Sequence, residues 1–367
     1  ISLQLSLSSS DPPARILRFL WVDRAVVYAV LANLSSLVLG PVTALLIAWK
    51  FSPEIQGYYY TFGSLISLQA LLDLGLGQAI IQIASHEWSA LSLDGKGSIM
   101  GDDAARSRLI SLGRISFLWY LSAGITLVLV LGPAGLVFFS RSPVSGISWT
   151  GPWAGVCVGA GAGFPLQPIF YLIQGCNQVP QFWFYRWIQQ VVNGITLWVA
   201  ILLGADLWTL PIASAVGLLW SVFFLMGRYP GFIGSFRSPS AAAGIRWKAD
   251  VWPLQWRVGI SWIGAYFTTS LFAPILFRLS GPVPAGQMGM TVTLAMVLLA
   301  GSSNWVVTKA PRFGVLIARG EYQELDRLFR RSFFASIGVS CLGAVTIGTG
   351  VYILHRFHHP LSYRILP

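Results

Sequence analysis

The sequence has few charged residues for its length. Asp, Glu, Lys and Arg make up 10% of its 367 residues, while apolar residues make up 55%. Soluble domains carry about 25% charged residues. The composition excludes an ordinary soluble domain, because too few polar side chains remain to cover its surface. We therefore expect an all-α integral membrane protein.

Cysteine is also scarce. Cys157, Cys176 and Cys341 are isolated from one another and lie within or at the ends of apolar stretches, so they predict neither a disulfide framework nor a zinc site. The glycine-rich segment GVCVGAGAGF (155–164) lacks the Gly-Lys-Ser/Thr ending of a nucleotide-binding loop. We expect no enzymatic activity, no metal and no cofactor.

Long uncharged stretches recur along the chain. About 20 apolar residues in a helix cross the roughly 30 Å hydrocarbon core of a bilayer. The turn-forming segment GCNQVPQ (175–181) divides one stretch that is too long for a single span. The sequence thus predicts nine spans, at about 26–49, 58–84, 115–139, 153–175, 183–203, 207–227, 258–278, 287–308 and 332–354.

The basic residues predict an orientation for these spans. With a cytoplasmic N-terminus, 19 of the 24 Lys and Arg residues fall in inner segments, as the positive-inside rule requires. The net charge of +11 is then explained by attraction to anionic lipids. No basic stretch is dense enough to indicate nucleic-acid binding.

The segment SPEIQGYYYTF (52–62) is predicted to be the outer connection between the first two spans. Pro53 and Gly57 would supply its turn. The consecutive tyrosines Tyr58, Tyr59 and Tyr60 would lie at the boundary of lipid and water, where aromatic rings are common. This interpretation favours a boundary position for the tyrosines over a binding cage.

An internal repeat relates two distant parts of the chain. At an offset of 229 residues, Pro53 aligns with Pro282 and Gly57 aligns with Gly286. Six spans separate the starts of the two copies, and an even number leaves both copies with the same orientation. The repeat therefore predicts two parallel-related helical bundles.

The repeat also predicts a domain organisation. We expect a first bundle of six helices with a cytoplasmic lead-in at 1–230, a cytoplasmic linker at 231–257, and a second bundle at 258–367. Only three helices of the second bundle are then present, so we expect a sequence that is cut short. Two such bundles are typical of transporters whose substrate path lies between the halves.

Polar side chains inside the spans are candidates for lining this path. An ionised Asp73 would cost about 2.5–3.5 kcal/mol in lipid, so it should face protein or water. Gln189 and Asn193 belong to a stripe of polar residues that recurs every four positions on the fifth span. The stripe either packs against a neighbouring helix or faces a cavity.

Two longer segments carry a family resemblance. FSPEIQGYYYTFGSLISLQALLDLGLGQAIIQIASHEW (51–88) resembles the segment after the first helix of Wzx-like polysaccharide export proteins, in the multidrug/oligosaccharidyl-lipid/polysaccharide flippase superfamily. AGQMGMTVTLAMVLLAGSSNWVVTKAPRFGVLIARGEYQELDRLFRRSF (285–333) resembles its partner in the second half. Such families usually have about twelve or more spans.

The resemblance implies a function. Such a protein moves a polyprenyl-diphosphate-linked oligosaccharide, an O-antigen or exopolysaccharide repeat unit, across the bacterial inner membrane by alternating access. The implied partners are this substrate, membrane lipids, and a polysaccharide polymerase and glycosyltransferases.

We assign hypothetical roles within this mechanism. Three amides would hydrogen-bond sugar hydroxyls: Gln189, Asn193 and Asn304. Three cations would attract the diphosphate if they face the cavity rather than the headgroups: Arg24, Arg278 and Lys309. Asp73 would carry a coupled ion or anchor a cavity arginine, and Pro41 and Pro274 would let their helices bend.

Two alternatives stay open. The first is a cation-coupled multidrug antiporter of the same superfamily, in which a membrane carboxylate such as Asp73 exchanges protons or sodium. The second is a non-transporting membrane scaffold of a glycan assembly complex, in which the polar stripes make only interhelical contacts.

Overall fold

The computed structural model of the chain is almost entirely helical. It describes residues 24–95, 97–141, 144–237, 245–247, 251–307, 309, 312–313, 316–317, 320–357 and 363–365. The helices of these residues are α1 Arg24–Lys50, α2 Pro53–Ile66, α3 Gln69–Asp73, α4 Leu76–Trp88, α5 Asp103–Thr126, α6 Gly132–Ser140, α7 Thr150–Gly163, α8 Gln167–Gly175, α9 Val179–Leu202, α10 Thr209–Arg228, α11 Pro230–Ser235, α12 Trp252–Thr269, α13 Phe272–Ser280, α14 Pro282–Val307 and α15 Tyr322–Arg356.

Short helical turns of other types join some of these helices. A π-helical turn, Leu127–Leu131, joins α5 to α6, and 3₁₀ turns precede α8 at Phe164–Leu166 and α10 at Asp206–Trp208. The described strands, β1 Leu91–Leu93 and β2 Ile99–Gly101, form one antiparallel hairpin between α4 and α5.

The membrane-spanning helices follow the predicted pattern with one difference. Within the described residues, seven helices are long and apolar enough to cross a membrane, and the bent pair Pro53–Asp73 and Leu76–Trp88 makes an eighth if it is one span. The remaining predicted span, at 183–203, coincides with α9, which is not apolar enough to be counted among these helices. Amide side chains and Arg186 lower the hydropathy of α9. The separation of α8 from α9 by a turn is confirmed.

α9 packs along α1 in the direction that alternation of spans requires. The indole nitrogen of Trp187 donates to Ser35 at 3.1 Å, and that of Trp198 donates to Thr43 at 2.9 Å. Residue numbers increase together along both helices, so the helices are parallel. A first and a fifth span are parallel when each of the three spans between them crosses the membrane once.

The expected turn at 52–62 is wrong. Ser52 is the N-cap of α2, because its hydroxyl accepts the N–H of Ile55 at 3.2 Å, and Pro53 occupies the first helical turn. Pro53 suits this position because its missing N–H has no intrahelical acceptor there. Gly57 thus lies inside a helix, and Tyr58 is fully buried in the protein.

The second predicted span is broken in its middle. α3 ends at Asp73, and α4 begins at Leu76 after a change of direction of 42°. Leu74 and Gly75 are both left-handed, with φ of 45° and 73°. Glycine adopts this conformation at low cost, whereas Leu74 is strained in it.

α2 and α14 form the most extensive helix contact between the two predicted bundles. A Cβ placed on Gly286 would lie 2.8 Å from the backbone nitrogen of Gly57, so only glycines permit this approach. Further along, Tyr60 packs against Gly289. The helices are therefore parallel, and residues that the repeat aligns face one another.

Segment 363–365 packs over the same end of the α2–α14 pair. The Arg364 guanidinium donates to the Phe51 carbonyl at 2.7 Å. The buried Gln56 amide donates to the carbonyls of Gly286 and Arg364, each at 3.0 Å. Burial lowers the pKa of Arg364, and the nearby Glu54 opposes this shift. These bonds tie the α1–α2 junction, α2, α14 and segment 363–365 together.

Aromatic side chains fill the core on the other side of α2. Tyr58 and Phe62 contact Phe139, Trp153 packs on Phe62, and Phe277 of α13 packs edge-on against Tyr58 at 4.9 Å between ring centroids. All five side chains are fully buried. The cluster joins helices of both predicted bundles.

Part of the predicted linker at 231–257 forms secondary structure. α11 lies against the β hairpin, where the N–H of Ile99 donates to Ser235 at 3.0 Å. The Arg114 guanidinium donates to the Phe236 carbonyl at 2.8 Å. Residues 238–244 and 248–250 lie outside the described residues, and α12 begins at Trp252, before the predicted start of that span.

Candidate functional site

Two cavities flank Tyr60 beside the α2–α14 pair. The first, here called the α1 cavity, has a volume of about 440 Å³ and lies among α1, α2, α9 and α14. The second, the α13 cavity, has a volume of about 300 Å³ and lies among α2, α14 and the junction of α12 with α13. Tyr59, Tyr60 and Thr293 line both.

The cavities exist because α2 and α14 separate along their length. The helices touch at Gly57 and Gly286. Two turns further along α2, Ser64 faces open space, and Val292 and Met296 line the same space from α14. Gly289 leaves room for the ring of Tyr60. A Cβ at position 289 would collide with the Cβ and the first ring carbon of Tyr60.

Each cavity is lined by a hydroxyl that lies five residues before an internal proline. Ser36 lies five residues before Pro41 on α1 and lines the α1 cavity. Thr269 lies five residues before Pro274 and lines the α13 cavity.

The walls of both cavities are polar but uncharged. The polar residues that line the α1 cavity are Ser36, Thr43, Tyr59, Tyr60, Gln190, Asn193 and Thr293. The α13 cavity adds Ser64, Ser67, Thr269 and Ser270. Among the described lining residues there is no Asp, Glu, Lys, Arg or His. The walls can therefore hydrogen-bond a neutral polar group, but they offer no charge to an ion.

Asn193 is the predicted amide that the structure places in a cavity wall. Its side-chain amide packs against Gly217 of α10, because a Cβ added to Gly217 would lie 2.8 Å from Asn193 Oδ1. That buried oxygen has no hydrogen-bond partner among the described residues. Burial of an unpaired amide oxygen is costly, and this oxygen lies at the contact of α9 with α10, while other atoms of Asn193 line the α1 cavity.

Gln189 makes a different contact. Its amide donates to Ser221 of α10 at 3.4 Å, and the same hydroxyl lies 2.7 Å from the Tyr185 hydroxyl. The neighbouring Gln190 lines the α1 cavity instead, where its Oε1 accepts a hydrogen bond from Ser36 at 3.1 Å. The polar stripe on α9 thus divides between a helix contact and a cavity wall.

The predicted cations are not gathered at the cavities. Arg24, at the start of α1, and Arg278, near the end of α13, are both exposed, and neither lines the α1 cavity or the α13 cavity. Lys309 follows α14, is half-buried, and lines neither cavity. Asn304 belongs to α14, but its side chain lies outside the described residues.

The two predicted hinges differ in their surroundings. Pro41 lies inside the continuous helix α1. Pro274 is buried in the first turn of α13, just after the break that separates α12 from α13. A proline near a helix start leaves fewer backbone groups unpaired than one in the interior.

Asp73 lies at the break in the second span, away from the lining of both cavities. Its carboxylate accepts hydrogen bonds from the Tyr120 hydroxyl and from the backbone N–H groups of Gly75 and Gly77. These N–H groups belong to the start of α4, where the helix dipole favours a negative charge. Asp73 thus stabilises the broken backbone.

The same break contacts the second predicted bundle. A Cβ on Gly259 of α12 would lie 3.2 Å from the Leu74 carbonyl, and Val258 packs directly on Gly75. The hydrogen bonds of Asp73 therefore shape a surface on which α12 rests.

The structure identifies lining residues that the sequence analysis did not place on the substrate path: Tyr59, Tyr60, Thr293 and Gln190. Tyr60 aligns with Gly289 at the repeat offset of 229 residues, and this pairing of a large with a small residue was a usable signal. Within the described residues, no group of three or more His, Cys, Asp or Glu side chains is placed to hold a metal ion.

Comparison with known proteins supports the fold. No protein-family model and no curated protein matches the chain. The chain is similar to the solved structure of a multidrug resistance MATE family transporter of the MOP superfamily in an inward-facing conformation, with a TM-score of 0.61 and 12% identity over 91% of this chain and 76% of that chain. At this identity the likeness shows a shared fold, that of an all-α multi-pass membrane protein.

Proposed function

We propose that the chain is a flippase for a lipid-linked oligosaccharide. The uncharged, hydrogen-bonding walls of the α1 and α13 cavities carry this proposal. Sugar hydroxyls need donors and acceptors in place of water, and the hydroxyl and amide groups of these walls supply both. Two tyrosine rings give apolar faces on which sugar rings can stack.

The proposed movement is alternating access. The sugar head would occupy the cavities beside Tyr60 while the lipid tail stays in the bilayer. The bundles would then rock about the glycine contact of Gly57 with Gly286, where the backbones already touch. Pro41 and Pro274 are proposed to let the helices that flank the cavities bend.

The proposed setting follows from this substrate. Such a lipid carrier and its sugar are assembled on the cytoplasmic leaflet of the bacterial inner membrane, so the protein would act there with a cytoplasmic N-terminus. Glycosyltransferases would supply its substrate and a polymerase would consume its product. The positive-inside distribution of basic residues supports the orientation.

A cation-coupled multidrug antiporter is the second candidate, because the second span contains the carboxylate of Asp73. The wall chemistry favours the flippase. A cationic drug in a low-dielectric cavity needs a nearby negative charge, and the described lining residues include no carboxylate.

Purified protein in proteoliposomes would separate the candidates. A fluorescent lipid-linked oligosaccharide is placed in one leaflet, and its transfer is measured beside uptake of a cationic dye. We expect transfer of the lipid-linked sugar, a several-fold lower rate in Asn193→Leu, and no dye uptake. Dye uptake driven by a proton or sodium gradient, without sugar transfer, would establish the antiporter instead. A folded protein that moves neither would favour the scaffold.

A further inference from the structure

The proposed substrate carries a diphosphate for which the two cavities offer no counter-charge. Among the described lining residues, neither cavity has a Lys, Arg or His. Leaving the anionic group without a cation in a low-dielectric site would cost several kcal/mol. If the proposed function is right, the diphosphate must meet its cations elsewhere on the protein.

A third cleft has the required chemistry. It has a volume of about 890 Å³ and is formed by the first turns of α15 and by Arg312 in the connection between α14 and α15. Its charged lining residues are Arg312, Glu321, Glu324, Arg327 and Arg331. We call it the arginine cleft.

The charges in the cleft are not all paired. Arg312 forms an ion pair with Glu324 at 2.6 Å. Arg327 and Arg331 lie one helical turn apart on the same face of α15. Within the described residues, no carboxylate lies within ion-pair distance of either.

The position of the cleft suits a lipid headgroup. α15 has 35 residues, so it is about 50 Å long and exceeds the roughly 30 Å hydrocarbon core. Its uncharged stretch begins at Ser332, immediately after Arg331. The two arginines therefore lie at headgroup depth, on the side predicted to be cytoplasmic, where a lipid-borne diphosphate is also found.

We infer that the arginine cleft binds the diphosphate of the substrate, with Arg327 and Arg331 as its principal ligands. This inference rests on the proposed function. A guanidinium offers a planar pair of N–H donors that matches phosphate oxygens, and two on one helix face can hold adjacent phosphates. A diphosphate would compete with Glu324 for Arg312 and so recruit a third cation.

The ordinary alternative is that these arginines attract any anionic lipid. Arg330 provides the matched control, because it is exposed on the same turn of α15 but does not line the cleft. Removing Arg330 lowers the surface charge by the same amount as removing Arg327 or Arg331. A general surface effect and a built site therefore predict different results for the three variants.

The test measures binding of farnesyl diphosphate to full-length protein in phosphatidylcholine nanodiscs. We expect Arg327→Gln and Arg331→Gln each to weaken binding several-fold, the double variant Arg327→Gln/Arg331→Gln to weaken it tenfold or more, and Arg330→Gln to change it less than twofold. Glu324→Gln should tighten binding by releasing Arg312. Equal losses in all three arginine variants, or no loss in the double variant, would refute the inference.

Two further binding measurements distinguish a site for free diphosphate from a site for a lipid-borne diphosphate. Inorganic pyrophosphate binding as tightly as farnesyl diphosphate would support a site for the free anion. Weaker pyrophosphate binding would support the lipid-borne group. Phosphatidylglycerol nanodiscs that abolish the difference between the variants would refute a diphosphate site.

The binding test of the arginine cleft and the transport test of the proposed function can give different answers. Binding that depends on Arg327 and Arg331, in a protein that transfers no lipid-linked sugar, would support the cleft and contradict the flippase. Sugar transfer with unchanged rates and binding in the double variant would support the flippase and contradict the cleft. Circular dichroism of each variant confirms that it is folded.

Discussion

Gly57 and Gly286, which the internal repeat aligns, face each other across the contact of α2 with α14. A Cβ on Gly286 would lie 2.8 Å from the backbone nitrogen of Gly57, closer than real side-chain contacts allow. A Cβ on Gly57 would collide with the carbonyl of Pro282. Both partners of this contact are backbone, which cannot rotate away as a side chain can.

Gly286→Ala is therefore expected to push α2 and α14 apart. Overpacking against rigid backbone costs about 1–3 kcal/mol, so the variant should melt at a lower temperature in detergent and lose transport. Gly63→Ala is the control, because a Cβ there meets no atom within 4 Å and alanine favours the helix. A melting temperature of Gly286→Ala at or above that of Gly63→Ala would contradict the contact.

Tyr60 is expected to determine which sugar heads fit. Its ring lines both cavities, so Tyr60→Ala should join them and remove about 1 kcal/mol of stacking, a roughly fivefold effect. We expect slower transfer of a lipid-linked monosaccharide and a smaller effect on a longer unit.

Two variants control for the Tyr60 result. Tyr60→Phe keeps the ring and should keep the preference for length. Gly289→Ala adds a Cβ against the base of the Tyr60 side chain and should disturb that preference without removing the ring. Transfer rates for a monosaccharide and a tetrasaccharide are the measurement, and an unchanged ratio of the two in Tyr60→Ala would falsify the assignment.

Asn193 should be reached by water, whereas Gln189 should be protected. Asn193 lines the α1 cavity, while Gln189 is bonded to Ser221 of α10. With the exposed Cys341 replaced by serine, Asn193→Cys should react faster with a charged thiosulfonate than Gln189→Cys. The native Cys157 and Cys176 are buried and should stay unreactive. A scaffold without a wet cavity predicts no labelling at either position.

We expect the main role of Asp73 to be structural. Asp73→Ala leaves the Tyr120 hydroxyl and the N–H groups of Gly75 and Gly77 without their acceptor, which should cost about 1–3 kcal/mol of stability. Asp73→Asn keeps an oxygen that accepts hydrogen bonds and should melt closer to the unaltered protein.

The same pair of variants tests ion coupling. If Asp73 only holds the broken span, Asp73→Asn should retain most of its transport, with an unchanged response to a proton or sodium gradient. If Asp73 carries the coupled ion, Asp73→Asn should fold normally but lose that response. Transport measured with and without an imposed gradient decides between the two roles.

The sequence predicted the helical membrane fold because the bilayer imposes simple rules on composition. A spanning segment must be long, apolar and internally hydrogen-bonded, and these properties are visible in the order of the residues. The turn between α8 and α9 was predicted for the same reason, since GCNQVPQ (175–181) interrupts an apolar run. α9 shows the limit of hydropathy, because its amides are accommodated by neighbouring helices.

The site was less accessible to prediction because cavity lining depends on helix rotation. Gln189 and Gln190 are adjacent in the sequence. Gln189 nevertheless donates a hydrogen bond to Ser221 of α10, whereas Gln190 lines the α1 cavity. A stripe at four-residue spacing drifts around a helix of 3.6 residues per turn, so it can serve a helix contact at one end and a cavity at the other. Asn193, a predicted candidate, lines the α1 cavity, as does Gln190, which the sequence did not single out.

The sequence by itself determined that this chain crosses a membrane many times and carries an internal repeat, because span length, charge placement and repeat offset are properties of residue order. Only the tertiary structure showed that Gly57 meets Gly286 and that Tyr60 separates two uncharged cavities. These relations join residues more than two hundred positions apart, and they depend on how closely two particular backbones can approach.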